Sequence, residues 1–144
     1  MTNIDLSAIK ITLQPNLSAN EFIDVLNRST LGLRRPVDSP DRIAGMLSQA
    51  DIIATARTTD GLLVGVARSL TDFHYCTYLS DLAVDQSFQG GGIGRRLIDF
   101  THDTAGRKTT LILLAAPAAQ TYYPHIGLKP HDSCWIQEPD LPTL

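Results

Sequence analysis

The 144-residue chain has two cysteines, Cys76 and Cys134, far apart in sequence. That pattern fits two buried free thiols better than a disulfide, and the chain is expected to work in the cytoplasm. The histidines, His74, His102, His125 and His131, show no metal-ligand spacing, so no metal is expected. No apolar run approaches the ~18 residues of a membrane span. Residues 1–10 lack the basic start and apolar centre of a secretion signal. Positive charge is not in excess: 12 Lys and Arg stand against 15 Asp and Glu, a net charge of −3. No broad basic surface follows, which argues against nucleic acid as the main partner. Internal repeats and low-complexity segments are missing too. What is present is a hydrophobic content of 43% and a charged content of 19%, values of a globular domain. A chain of this length builds one domain with a substantial core, expected here over residues 1–144.

The most informative stretch is 75–105. Residues 75–84 are rich in β-branched and aromatic types and read as a strand. Residues 85–92 form a polar, glycine-rich turn. From Ile93 the apolar residues recur at Leu97, Phe100, Thr101 and Ala105, which is helical spacing, and Gly106 stands where a helix stop belongs. The first turn of a helix leaves about four backbone N–H groups without partners, and its dipole adds positive charge there. Glycines allow an anion to approach those groups closely. Gly90, Gly91, Gly92 and Gly94 thus read either as a phosphate seat or as a tight turn that binds nothing. A P-loop is excluded because no Lys follows the glycines. The dinucleotide fingerprint G-x-G-x-x-G fails in both registers, where Arg95 and Leu97 occupy the third glycine position.

The pattern that fits is [QR]-x-x-G-x-[GA], carried by Gln89, Gly92 and Gly94. Between residues 82–84 and an amphipathic helix, it resembles the acetyl-coenzyme A motif of the GNAT family of N-acetyltransferases. A second block, with Ala119, Tyr122, Tyr123 and Gly127, is similar to that family's C-terminal pattern N-x-x-A-x-x-[FY]-Y-x-x-x-G-F. Ala116 stands in place of the Asn and Leu128 in place of the Phe. The resemblance covers about residues 50–136.

The rest of the chain reads in order as a strand over 8–13 and a helix opened by Ser18 and Glu21 as a capping box, with Leu17 and Phe22 as its staple. That helix should end near 27–28. A second helix starts at Ser39 and Pro40. Strands follow at 51–58 and 62–70, joined by a turn at Asp60-Gly61. After the third helix, residues 109–115 read as an all-apolar strand buried on both faces. Pro117 starts a fourth helix ending near Gly127, and short strands are expected at 128–129 and 134–136. The sum is an α/β fold, a mixed sheet of about six to seven strands with flanking helices, in agreement with the GNAT fold.

The resemblance implies acetyl-CoA as co-substrate and transfer of its acetyl group to a primary amine by direct attack in a ternary complex. Backbone groups of residues 89–95, together with the charge of Arg95, would hold the pyrophosphate. Leu82, Ala83 and Val84 would pair with the pantetheine arm, which enters a gap between two splayed parallel strands. Tyr123 aligns with the family's general acid. The base is least defined, because the positions where relatives carry an acid fall on Tyr78 and Ser80. Asp81 is acidic but lies on the opposite strand face unless a bulge shifts the phase; it is either the catalytic carboxylate or structural. Asp72, His74 and a water chain are alternatives. Arg34 and Arg35 read as solvated charges, yet two adjacent arginines could clamp a carboxylate or phosphate, which makes them the first candidates for an acidic acceptor; with Tyr78 they are the residues expected to contact the acceptor, a small amine or a peptide amine. The rival reading is a non-catalytic module or sensor that binds CoA. Homodimer formation is left open.

Overall fold

The computed structural model describes residues 5–140, which fall into two compact units divided after Leu114. The first carries a five-stranded sheet: β1 (Lys10–Leu13), β2 (Ile52–Arg57), β3 (Leu63–Thr71), β4 (Cys76–Val84) and β5 (Thr110–Ile112), in that spatial order. β1 to β4 pair antiparallel, and β4 pairs parallel with β5. The connection between β4 and β5 is the helix α3 (Ile93–Ala105), as the crossover reading requires. Helices α1 (Ala19–Ser29) and α2 (Pro40–Ser48) lie between β1 and β2 in sequence.

The core forms on both sides of the sheet. Phe22, Val25 and Leu26 of α1 and Ile43 and Leu47 of α2 pack with Ile53, Val66 and Ala83. The next residue along β3 from Val66 shows the other face: a Cβ at Gly65 would sit 3.0 Å from Leu97 and 3.3 Å from Ile93, both of α3. Strand alternation accounts for this division. Full burial of each such Leu, Ile, Val or Phe side chain contributes about 1.5–3 kcal/mol.

Local signals explain the element ends. Ser18 Oγ accepts from the Glu21 N–H at 3.2 Å and starts α1. The reciprocal half of the capping box does not form; the Glu21 carboxylate turns instead to Arg57, with contacts of 2.7 and 3.1 Å. A charged donor on β2 outcompetes a local amide for that carboxylate. Thr30, in the left-handed region at φ 75°, closes α1 after Ser29, one to two residues later than its apolar pattern suggested. Gly32 follows because a Cβ there would lie 2.2 Å from Asn27 Oδ1. Gly61, at φ 88°, makes the β2–β3 turn.

Three expectations change. β5 covers Thr110–Ile112 only, and its two ends are exposed rather than buried on both faces. It pairs β4 at Cys76, Thr77 and Tyr78 alone, so it stands at the sheet edge. Cys76 and Cys134 are free but exposed, Cys76 because it is the first residue of its strand. Finally, the sheet has five strands, not six to seven, because 128–129 and 134–136 form no strand. Both stretches are very short, and Pro130, which cannot donate to a ladder, lies between them.

The second unit begins with a 3-10 turn (Pro117–Ala119) and a four-residue helix, α4 (Tyr122–His125). α4 is shorter than the helix the sequence suggested. It stops at Gly127, φ 94°, where the Leu128 N–H reaches the Tyr123 carbonyl at 3.0 Å and the Gly127 N–H reaches Pro124 at 3.1 Å. This is a Schellman closure.

Candidate active site

The glycine loop is built from its flanks inward. Asp85 ends β4, accepts from the Ser87 N–H at 2.8 Å, and receives Arg28 of α1 at 2.5 Å. Arg28 also donates to the Leu63 carbonyl at 2.7 Å, so α1, β3 and the loop share one ion pair. Gln89, the first residue of the motif, donates its side-chain amide to the Val84 carbonyl at 2.9 Å. Gly90 and Gly92 take φ values of 86° and 88°, and Gly92 is the N-cap of α3. No side chain caps this helix start. A Cβ on Gly92 would meet nothing within 4 Å, so the N–H groups that open α3 border free space. Gly94, in the first turn, is buried. Arg95 is largely exposed, 3.9 Å from Asp99 in a weak ion pair, which leaves its charge beside the helix start. Arg96 turns the other way and donates to the Leu6 and Ile9 carbonyls at 3.2 and 2.8 Å. A Cβ on Gly91 would fall 1.7 Å from a Leu6 methyl, so the N-terminal segment supports the loop from behind. An uncapped 13-residue helix with a positive first turn, open in front and braced behind, suits an anion such as a pyrophosphate.

β4 leads into that seat. Beyond Tyr78 its edge toward β5 has no ladder partner, since the pairing ends at Tyr78 and Ile112. The Asp85 N–H bonds Val64 on the β3 side at 2.8 Å. By alternation the N–H groups of Val84 and Leu82 then point away from β3, toward the open edge, and that of Ala83 does not. β5 ends where its pairing ends, at Ile112, so the rest of β4 keeps backbone donors on that edge for an extended ligand.

A bulge interrupts the same strand. Arg68 faces Asp81 while Ser69 faces Leu79, so Ser80 is the extra residue. Burial still alternates: Tyr78, Ser80, Leu82 and Val84 are half-buried, and Thr77, Leu79, Asp81 and Ala83 are buried. Asp81 is thus fully buried, and one of its oxygens receives Arg68 Nε and the other Arg35 Nε. Arg35 also donates to the Ser80 carbonyl at 2.8 Å and Arg68 to Ser80 Oγ at 3.1 Å. Arg34 stays solvated, as expected, but Arg35 does not. Arg68 and Arg28 were not singled out from the sequence. The available signal was an arginine inside the otherwise apolar run 62–70, where a buried charge requires a partner.

Asp72 precedes β4 at the end away from the glycines. Its carboxylate accepts the N–H groups of Tyr75, His74 and Cys76, which hold its pKa down at about 2. In the second unit, burial and then the neighbouring Tyr122 push the Tyr123 hydroxyl above its ordinary value, so it remains protonated at neutral pH. The two rings meet edge to face, with centroids 5.3 Å apart. Two surface clefts of about 340 and 320 Å³ flank the β2–β3 turn; the second reaches Phe88 of the loop, and neither is lined by the loop glycines or the open edge of β4. No group of three metal-ligating side chains occurs among the described residues.

The sequence of 50–129 matches the profile of the acetyltransferase (GNAT) domain, more than half of the chain. The chain belongs to the GNAT family. Solved structures with the same fold include a GNAT-family acetyltransferase from Streptococcus pneumoniae TIGR4, 19% identical with a TM-score of 0.71, over 91% of this chain and 99% of that one. A ribosomal-protein-alanine N-acetyltransferase from Brucella melitensis biovar Abortus 2308 is 23% identical with a TM-score of 0.66, over 91% and 99%. An aminoglycoside acetyltransferase from an uncultured soil metagenomic sample, bound to sisomicin, is 19% identical with a TM-score of 0.67, over 94% and 98%. A search of curated protein sequences finds no significant match. The GNAT domain and the mixed α/β sheet agree with the sequence reading. Among the described residues, no helix is long and apolar enough to cross a membrane.

Proposed function

We propose that this GNAT protein transfers the acetyl group of acetyl-CoA to a primary amine, as one catalytic domain over 1–144 working in the cytoplasm. The observation that carries the proposal is the open edge of β4 running directly into an uncapped helix start. When bound, acetyl-CoA supplies a thioester whose carbonyl carbon is the site of attack. The N–H groups of Gly92, Ile93, Gly94 and Arg95 hold the pyrophosphate, with the Arg95 charge beside them, and Gly90 and Gly91 shape the turn. The outward N–H groups of Leu82 and Val84 pair with the pantetheine arm, and the Val84 N–H stabilises the oxyanion. Ala83 and Gln89 keep the strand end in place.

Amine attack forms the N–C bond and breaks the C–S bond. The ammonium gives up two protons to water, the leaving thiolate takes one from the Tyr123 hydroxyl, and Tyr123 regains one from water, so one proton is released per turnover. We read Asp81 as the anchor of Arg35 and Arg68 instead of the base, because both its oxygens are engaged by guanidinium groups. The ammonium proton then leaves through water at the half-buried face of Tyr78 and Ser80.

The engagement of Asp81 by two arginines, with no acidic residue at Tyr78 or Ser80, favours the second reading, a CoA-binding sensor without turnover. Calorimetry with acetyl-CoA and CoA, followed by thiol-release assays on an amine panel, separates the two. Binding with thiol release supports the enzyme, binding without it supports the sensor, and no binding removes both.

A further inference from the structure

Around the β4 bulge the charges do not balance. Arg35 and Arg68 bring two positive charges to a single carboxylate, that of Asp81. Among the described residues no other carboxylate pairs with either guanidinium. The remaining partners are neutral: the carbonyls of Arg34, Ser80 and Met46, and Ser80 Oγ. Each guanidinium uses three of its five N–H groups on these contacts. Arg68 is buried, but the Arg35 side chain is 22% exposed, so its unused donors can reach solvent. Arg34, next to it, is exposed and adds a further positive charge.

The position of this surplus gives it meaning. Arg35 arrives from the α1–α2 connection and grips the Ser80 carbonyl, two residues past Tyr78, where the β4–β5 pairing stops. The surplus charge therefore sits just past the end of the β4–β5 ladder. Resting on the acetyltransferase reading above, we infer that Arg35, assisted by Arg34, binds a carboxylate of the acceptor, and that the acceptor is an amino-acid-like amine. Asp81 and the bulge lock the guanidinium plane, so little side-chain entropy is lost when an anion docks. A carboxylate arriving there balances the net positive charge that Arg35 and Arg68 leave over Asp81. A polycationic amine meets repulsion from the same residues.

The test is a set of free amino acids, their carboxamides and an aminoglycoside, each assayed by thiol release at saturating acetyl-CoA. A charge-assisted contact predicts a preference of about 10-fold or more in kcat/KM for acid over carboxamide. Arg35→Gln should abolish that preference by raising KM, with acetyl-CoA affinity unchanged, and Arg35→Lys should recover part of it. N-acetyl amino acids and their carboxamides, titrated by calorimetry with CoA present, read the same site without turnover. Equal handling of acids and carboxamides in both assays overturns the inference, as does an aminoglycoside that outperforms every acid. Failure of acetyl-CoA itself to bind is a separate result, which removes the acetyltransferase reading and this inference with it.

Discussion

Gly92→Ala separates the seat's chemistry from the fold's stability. Gly92 has φ 88°, a conformation that costs a residue with a Cβ about 1–2 kcal/mol. Nothing lies within 4 Å of the added methyl, so no steric term is added to that cost. For a domain of this size the loss corresponds to a Tm decrease of roughly 3–8 °C. If the opening N–H groups of α3 bind the pyrophosphate, the methyl also stands where the anion must approach. Losing one charge-assisted hydrogen bond, about 1.5–3 kcal/mol, weakens acetyl-CoA binding by about 10- to 150-fold. Gly61→Ala is the matched control, because Gly61 has the same φ of 88° and equally open space but lies in the β2–β3 turn. Melting curves and calorimetry on both variants decide the matter. The reasoning predicts similar melting losses and an affinity loss confined to Gly92→Ala. An unchanged Kd in Gly92→Ala, or an equal affinity loss in both, refutes the seat.

Tyr123→Phe should lower kcat by about 100-fold or more while leaving acetyl-CoA affinity unchanged, as measured by steady-state kinetics and calorimetry. Because burial, and then Tyr122, raise its pKa above the ordinary tyrosine range, the acid stays protonated across neutral pH; a Tyr123-dependent fall in rate near neutral pH would contradict this. Asp72 titrates at about 2 in the folded chain and 3.8 unfolded, so its stabilising effect is complete above about pH 4 and disappears as pH falls toward 2. Thermal melts across that window should show a shallower acid loss for Asp72→Asn, and a carboxyl NMR titration centred near 3.8 would disprove the assignment. Gly65→Ala pushes a methyl to 3.0 Å from Leu97 and 3.3 Å from Ala56 and Ile93. Overpacking there should cost about 1–3 kcal/mol in urea denaturation, and wild-type stability would show that α3 can move off the sheet.

Legibility in the sequence followed how local the physics is. The helix read from Ile93 to Gly106 spans Ile93–Ala105 with Gly106 as its C-cap, because the glycine turn, the apolar period and the stop signal all lie within one stretch. The Ser18 cap and the strands at 52–57 and 63–71 were equally readable. The ion cluster was not, since Arg35, Arg68 and Asp81 meet only once α1, α2 and the sheet have assembled. The bulge was stated as a condition and could not be located, because register depends on the partner strand. Glu21 shows the same limit: its local partner was correctly identified as available, but a distant arginine binds it more strongly.

The support behind the glycine loop joins two places that the family pattern keeps apart. Leu6 lies outside the matched residues 50–129, yet its side chain fills the space that a Cβ on Gly91 would need, and Arg96 ties down its carbonyl. Positions 6 and 91 therefore act as one locus. A larger residue at 91 becomes acceptable only when the residue at 6 shrinks, and the tightness of the loop in such relatives would be set by the pair and by neither residue alone.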